Sequence, residues 1–204
     1  MGIAVLSGLV LLAGACGKSG PDEAELKRAI DEHLANNPKC IVDPAWQFPA
    51  EFRSEYDRAR EPIYVAMMAR VDALVRLGLL RAASGPSSEW GRPVRYELTD
   101  EGRRAYRDLP GSLWDTRKRL GAFCYGTPEV ESIIRHTEPA EGLGQVQTEV
   151  TYRYRLREVA PWAQDSILRS VAPEITQETD ATGVREARLI LVQTSDGWKV
   201  ATAR

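Results

Sequence analysis

The feature that most constrains the fold is a strict alternation of side chains along residues 145–157. Every second position is apolar, aromatic or threonine: Val146, Thr148, Val150, Tyr152, Tyr154 and Leu156. The positions between them are polar, and they include Arg153, Arg155 and Arg157. Because successive side chains of a β-strand point to opposite faces, the pattern predicts one long strand with a buried face and a wet face.

The rest of the last third, residues 120–204, favours an antiparallel sheet around this strand. Further strands are predicted at Val130–Arg135, Glu186–Gln193 and Trp198–Thr202, with a hairpin turn at residues 195–197. A helix is predicted from Pro161 to Val171. The expected unit is an antiparallel sheet with one packed helix, which loosely resembles the cystatin-like and nuclear-transport-factor-like sheets of many secreted bacterial proteins.

Residues 22–119 are predicted to form a second, helical domain. Apolar residues at helical spacing predict helices at Pro21–Asn37 and Pro62–Leu77, and a shorter helix is predicted at Ala50–Arg60. The fold class expected for the whole chain is therefore α+β: an N-terminal helix and a helical segment, followed by the antiparallel sheet.

Residues 62–107 resemble a winged helix. The segments that carry the resemblance are ALVRLGLLR, a turn-rich excursion from Ala82 to Pro93, then RYELT and DEGRRAY. Many bacterial winged-helix regulators share this order, and in them the helix before the wing enters the major groove of DNA. Here the early residues of that helix, numbers 61–66, offer no guanidinium, amide or ammonium group to read a base edge. The resemblance thus favours a scaffold for packing or protein contact over DNA binding.

The first sixteen residues, MGIAVLSGLVLLAGAC, carry no charge. A membrane-spanning helix needs about 20 apolar residues, whereas an apolar run of about 7–15 residues followed by small ones is typical of a secretory signal. The end of the stretch, Leu12–Cys16, resembles a bacterial lipobox, although Ala13 stands where a large aliphatic residue is usual. The resemblance implies that Cys16 receives a diacylglycerol group and becomes the first residue of the mature protein.

A short polar tether, residues 17–21, follows the predicted lipid-attachment residue. Gly17 rather than aspartate comes directly after Cys16, which favours the outer membrane under the usual sorting rule for such lipoproteins. The alternative is that residues 2–15 form a buried core helix and that Cys16 is an ordinary buried thiol.

The chain has three cysteines, so lipidation of Cys16 leaves one pair, Cys40 and Cys124. In an oxidising compartment such a pair is expected to form a disulfide. That bond would close a loop of about 85 residues, which the chain-entropy model values at roughly 4–5 kcal/mol. Two unpaired buried thiols are the alternative.

No pattern for catalysis, a cofactor or a metal occurs in the sequence. The two histidines, His33 and His136, are far apart, and there is no Cys-x-x-Cys pair, nucleophile elbow or phosphate loop. The formal net charge of −2 gives no general case for a nucleic-acid partner. Arg153, Arg155 and Arg157 project from one face of the predicted strand, where they either bind an anion or pair with neighbouring glutamates.

Taken together, these features resemble an uncharacterised family of bacterial lipoproteins with a winged-helix-like middle segment. The resemblance implies a protein held by acylated Cys16 on the periplasmic face of a membrane, with an interaction or structural role, an envelope protein partner and no catalytic activity. A winged-helix DNA-binding regulator is the alternative.

Overall fold

The computed structural model of the protein describes residues 20–53, 62–85, 93–110, 119–142, 144–180 and 183–201. The predicted leader, with Cys16, and most of the predicted wing lie outside these ranges. The helices are α1 (Glu23–Ala35), α2 (Pro62–Arg76), α3 (Asp100–Ala105), a 3₁₀-helix (Pro161–Gln164), α4 (Ser166–Val171) and α5 (Pro173–Thr179). The strands are β1 (Lys39–Asp43), β2 (Ala50–Arg53), β3 (Leu80–Ser84), β4 (Pro93–Leu98), β5 (Tyr106–Pro110), β6 (Arg119–His136), β7 (Ala140–Gly142), β8 (Gln145–Arg157), β9 (Val184–Thr194) and β10 (Gly197–Val200).

A large antiparallel sheet dominates the described residues. Its main order is β1-β6-β8-β9-β10, and β5 and β7 add to β6 and β8 respectively. Strand β6 is 18 residues long and pairs with three other strands. Its first part pairs with both β1 and β5, and its second part pairs with β8. The alternating stretch is β8, as its pattern predicts.

Helix α1 covers one side of this sheet. The side chain of Asp22 accepts a hydrogen bond from the backbone N–H of Ala24, which caps the first turn. The helix buries Leu26, Ile30 and two further residues against side chains of β6, β8, β9 and β10. The apolar stripe of the helix therefore meets the buried face that the alternation of β8 predicts.

A second core lies under α2 and the small three-stranded sheet β2-β4-β3. It gathers the buried side of α2, the fully buried Trp46 and Phe123, and apolar residues of α4 and α5. Trp46 and Phe123 pack edge to face, with ring centroids 5.7 Å apart. Residues from both predicted domains share this core.

The predicted fold class is wrong for the middle of the chain: the described residues are mostly antiparallel strand, and a helical winged-helix segment is not what forms. Residues 50–53, predicted as helix, are strand β2, because Phe52 packs on the rings of Tyr64 and Tyr96. Strands β1 and β5, within the predicted helical domain, instead hydrogen-bond to β6 of the large sheet.

The expectation of one packed helix in the last third is also wrong. A 3₁₀-helix and two short α-helices occupy residues 161–179. Pro173 ends the continuity of the run, because proline lacks an N–H and is favoured at the first position of a new helix. Within the described residues, none of the helices combines the length and apolar character that a membrane crossing requires.

Candidate functional site

Cys40 and Cys124 form a disulfide, as the sequence predicts. Cys40 lies on β1 directly opposite Cys124 on β6, with their Cα atoms 3.9 Å apart. The bond joins two strands that are separated in the chain by α2, the small sheet and α3. It therefore ties β1 covalently to β6 of the large sheet.

The three arginines singled out in the sequence lie in a row on the exposed face of β8, and each meets a glutamate. The ion pairs join Arg153 to Glu186 at 3.1 Å, Arg155 to Glu131 at 4.0 Å, and Arg157 to Glu129 at 3.2 Å. An incoming anion must compete with these carboxylates for the same guanidinium groups. Anion binding by this row stays a prediction. In the described residues, the three arginines pair with glutamates of neighbouring strands.

A cavity of about 490 Å³ lies beside this row, on the face of the large sheet that bears the exposed arginines. Six residues of β6, β8 and β9 line it: Ile134, Arg135, Thr151, Glu186, Ala187 and Arg188. We call it the Thr151 pocket. Its volume falls within the range of about 300–1,000 Å³ that is usual for small-molecule sites.

The strand register places three of these residues in one line across the sheet. Thr151 of β8 lies opposite Arg135 of β6 on one side and opposite Arg188 of β9 on the other. Residues directly opposite each other in antiparallel strands project from the same face. The register of β6 shifts between Ile133 and Arg135, and both Ile134 and Arg135 then line the pocket. Because the short side chain of Thr151 lies between two long arginine side chains, it leaves a depression in the surface of the sheet.

The hydroxyl of Thr151 is the most unusual group in the pocket. The side chain is 7% exposed, although it belongs to the wet face of β8. Its Oγ1 atom is buried and has no hydrogen-bond partner among the described residues. An unsatisfied buried hydroxyl costs about 1–3 kcal/mol, so such a group in a cavity wall marks a place where a ligand atom can bind.

Arg135 and Arg188 differ from the arginines of the row. Both side chains are exposed, and neither makes an ion pair or a side-chain hydrogen bond within the part of the chain that the structure describes. The only carboxylate in the pocket wall, that of Glu186, is engaged by Arg153. The wall of the pocket therefore contains two arginines without acidic partners and one buried hydroxyl.

A second polar cluster joins α5 to the large sheet. Lys39 Nζ lies 2.8 Å from Glu178 Oε1 and 5.2 Å from the centre of the Tyr154 ring, and the Tyr154 hydroxyl donates to Glu178 Oε2 at 3.0 Å. Burial opposes the charged form of Lys39, but its bonds to Glu178 and Tyr154 outweigh that effect and raise its pKa.

The tyrosines around this cluster are kept neutral. Burial raises the pKa of Tyr152 to about 12, and it also raises the pKa values of Tyr125 and Tyr154. A general acid or base works best with a pKa near the working pH. The cluster is thus suited to holding α5 on the large sheet.

Among the described residues, no three or more His, Cys, Asp and Glu side chains come together as a metal-ligand set. His33 lies on α1, whereas His136 ends β6 and its Nδ1 lies 3.2 Å from the carbonyl oxygen of Thr137. Cys16, the predicted lipid-attachment residue, lies outside the described residues. Sequence reasoning missed Arg135, Thr151 and Arg188, because only the strand register brings them together.

Comparison with known proteins finds no match: no family model, no curated protein and no solved structure is similar to the chain. The resemblance to a lipoprotein family therefore stays a prediction that rests on the quoted motifs.

Proposed function

We propose that the chain is an exported lipoprotein of the bacterial cell envelope, anchored through acylated Cys16, whose folded part has an interaction or structural role. The observation that carries the proposal is the Cys40–Cys124 disulfide. Disulfides persist in oxidising compartments and are rare in the reducing cytosol. The uncharged leader and the small residues before Cys16 also support export from the cytosol.

The folded part acts as a binding module in this proposal, with no enzymatic activity. Its sheet offers a face with a charged row and the Thr151 pocket, and the buried Tyr154 and the half-buried Lys39 are tied into structural contacts with Glu178. The periplasmic face of the outer membrane is the proposed location, and an envelope protein is the proposed partner.

Among the described residues, no observation favours the alternative of a DNA-binding regulator. Several arginines of the described middle segment, which would have to contact phosphates, are paired with acids instead. Glu97 holds both Arg81 and Arg95, and its pKa is lowered first by its hydrogen bond from Arg95 and then by that from Arg81. Arg70 pairs with Glu174 and Arg76 with Asp165. Neutralised side chains release few counterions on DNA, so they contribute little affinity.

Radiolabelled palmitate tests the anchor. Wild-type protein made in a bacterial host is expected to incorporate label and to fractionate with membranes, whereas Cys16→Ala is expected to incorporate none. Cys40→Ser is the matched control, because it removes a thiol elsewhere and should still be labelled. Wild-type protein without label, recovered in the soluble cell fraction, would contradict the proposal.

A further inference from the structure

The charges on the open face of β8 and its neighbours divide into two kinds. Arg153, Arg155 and Arg157 each have a glutamate on an adjacent strand. Arg135 and Arg188 have no such partner in the described part of the chain, and they stand on either side of Thr151. An arginine fork offers up to five N–H donors that fit carboxylate and phosphate oxygens. Two unmatched arginines on either side of one residue are suited to binding an anion.

The buried hydroxyl gives an independent sign of a missing ligand atom. Thr151 Oγ1 has no hydrogen-bond partner, yet its side chain lines the cavity between the two arginines. A hydroxyl can donate to an anionic oxygen while two guanidinium groups donate to the others. One anionic group would thereby satisfy the hydroxyl and lie between the two unmatched positive charges.

We infer that the Thr151 pocket binds the anionic oxygens of a phosphate or carboxylate group. Arg135 and Arg188 clamp the group from the two flanking strands, and Thr151 donates from the floor. Glu186 also lines the pocket, but its carboxylate is held by Arg153 at 3.1 Å. The inference rests on this geometry alone and is unaffected by whether Cys16 carries lipid.

The shape of the pocket says more about the molecule that carries the anionic group. About 490 Å³ is larger than a bare phosphate requires, and Ile134 adds apolar surface to the wall. Ile134 is 41% exposed, so its side chain is available to contact an apolar part of a ligand. The ligand is thus a small organic anion with an apolar part, or the headgroup of an anionic lipid.

Calorimetric titration of the full chain, with its disulfide intact, tests the inference for soluble ligands. Phenyl phosphate and benzoate serve as probes, and phenol serves as the uncharged control. We expect the charged probes to bind and phenol not to. Arg135→Gln, Arg188→Gln and Thr151→Val are each expected to raise the Kd at least tenfold. Arg155→Gln is the matched control, since it removes the same charge from the same face and should change the Kd less than twofold.

A second arm separates a soluble ligand from a lipid. Full chain carrying Cys16→Ala is floated with vesicles of phosphatidylglycerol or of phosphatidylcholine, so that acylation does not contribute. Excess binding to phosphatidylglycerol that Arg135→Gln removes and Arg155→Gln retains would support the inference and assign the anionic group to lipid. Absence of selective binding in both arms would overturn it. An equal loss with Arg155→Gln would also overturn it, by showing a general effect of surface charge.

Discussion

At the scale of single residues, two buried threonines on β8 show how differently the same side chain can be used. Thr148 is 1% exposed, and its Oγ1 donates to the carbonyl oxygen of Thr137 at 2.7 Å. Thr151 is buried almost as well but has no partner. The first hydroxyl stabilises the fold, whereas the second lowers the free energy of unfolding because it is buried without a hydrogen bond.

The pair gives a matched prediction for stability. Thr151→Val replaces an unsatisfied hydroxyl with a methyl group of similar size, so we expect the free energy of unfolding to rise by about 1 kcal/mol. Thr148→Val removes a made hydrogen bond, so we expect a fall of about 1–2 kcal/mol. Urea denaturation measures both values. A loss of stability in Thr151→Val as large as that in Thr148→Val would show that the Thr151 hydroxyl has a partner.

The Thr151 pocket could not have been predicted from the sequence. The alternation assigns Thr151 to the wet face of β8, but it does not say which residues of other strands lie beside it. Arg135 and Arg188 are 53 positions apart in the chain, and their alignment on Thr151 depends on the register shift in β6. The arginine row, in contrast, was predictable, because the spacing of Arg153, Arg155 and Arg157 is visible within one strand.

At the scale of elements, local patterns predicted α1 and β8 well, and they failed where tertiary contacts override them. Strand β6 contains Gly121, Gly126 and Pro128, which the usual rules take as strand breakers. Gly121 is required there by packing: a Cβ atom on it would lie 1.8 Å from the carbonyl oxygen of Trp46. Such a close approach of two distant backbones leaves no periodic signal in the sequence.

This close approach makes a second prediction. In Gly121→Ala the clash is with backbone, which cannot rotate away, so we expect a loss of at least about 3 kcal/mol, the upper end of the usual cost of overpacking. Gly20→Ala is the control, because its Cβ would meet only His136 Cε1 at 3.8 Å, an ordinary contact. Thermal unfolding followed by circular dichroism compares them. Equal melting temperatures for the two variants would contradict the described contact between β6 and Trp46.

Helices α2 and α4 are linked by one charged contact that predicts a pH dependence. The carboxylate of Asp165 caps α4 by accepting from the N–H groups of Ile167 and Leu168, and it pairs with Arg76 of α2 at 2.5 Å. The hydrogen bond from Arg76, then that from Leu168, lowers the pKa of Asp165 to about 2, from 3.8. The contact therefore stabilises the fold fully above pH 3.8 and loses its effect as the pH falls towards 2.

Asp165→Asn isolates this contribution. We expect the variant to be less stable than wild type at pH 6, and the difference to shrink between pH 4 and pH 2, as measured by urea denaturation. The effect is modest because the pair is partly exposed and is screened by salt. In an Arg76→Gln background the substitution should matter less. A difference that is constant from pH 6 to pH 2 would mean that the charge of Asp165 does not contribute.

At the scale of the whole molecule, the disulfide is the feature that connects the fold with the proposed location outside the cytosol. It bridges a sequence separation of 84 residues and ties β1 to β6. The cysteine pair was predictable from the number of cysteines, because two of the three remain when Cys16 is assigned to lipid. The shared core of the two predicted halves was not, because β1 and β5 join the large sheet through long-range pairing that no local pattern reveals.

Reduction of this bond is expected to lower the free energy of unfolding by about 2–4 kcal/mol, because the unfolded chain regains freedom; strain and residual structure in the unfolded chain keep the effect below the chain-entropy value. Denaturation with and without dithiothreitol measures the change. The double variant Cys40→Ser, Cys124→Ser should match the reduced protein and should not respond to dithiothreitol. A wild-type protein equally stable in both conditions would contradict a constraining role for the bond.

The central claim, that the chain matures outside the cytosol, is tested most directly by counting reactive thiols in living cells. A membrane-permeant maleimide is added before lysis, and the mass increase of the protein is read by mass spectrometry. Our account predicts that no cysteine reacts without reduction and that Cys40 and Cys124 react after it, because Cys16 carries lipid. Three thiols reacting without reduction would place an unlipidated, reduced chain in the cytosol and contradict the account.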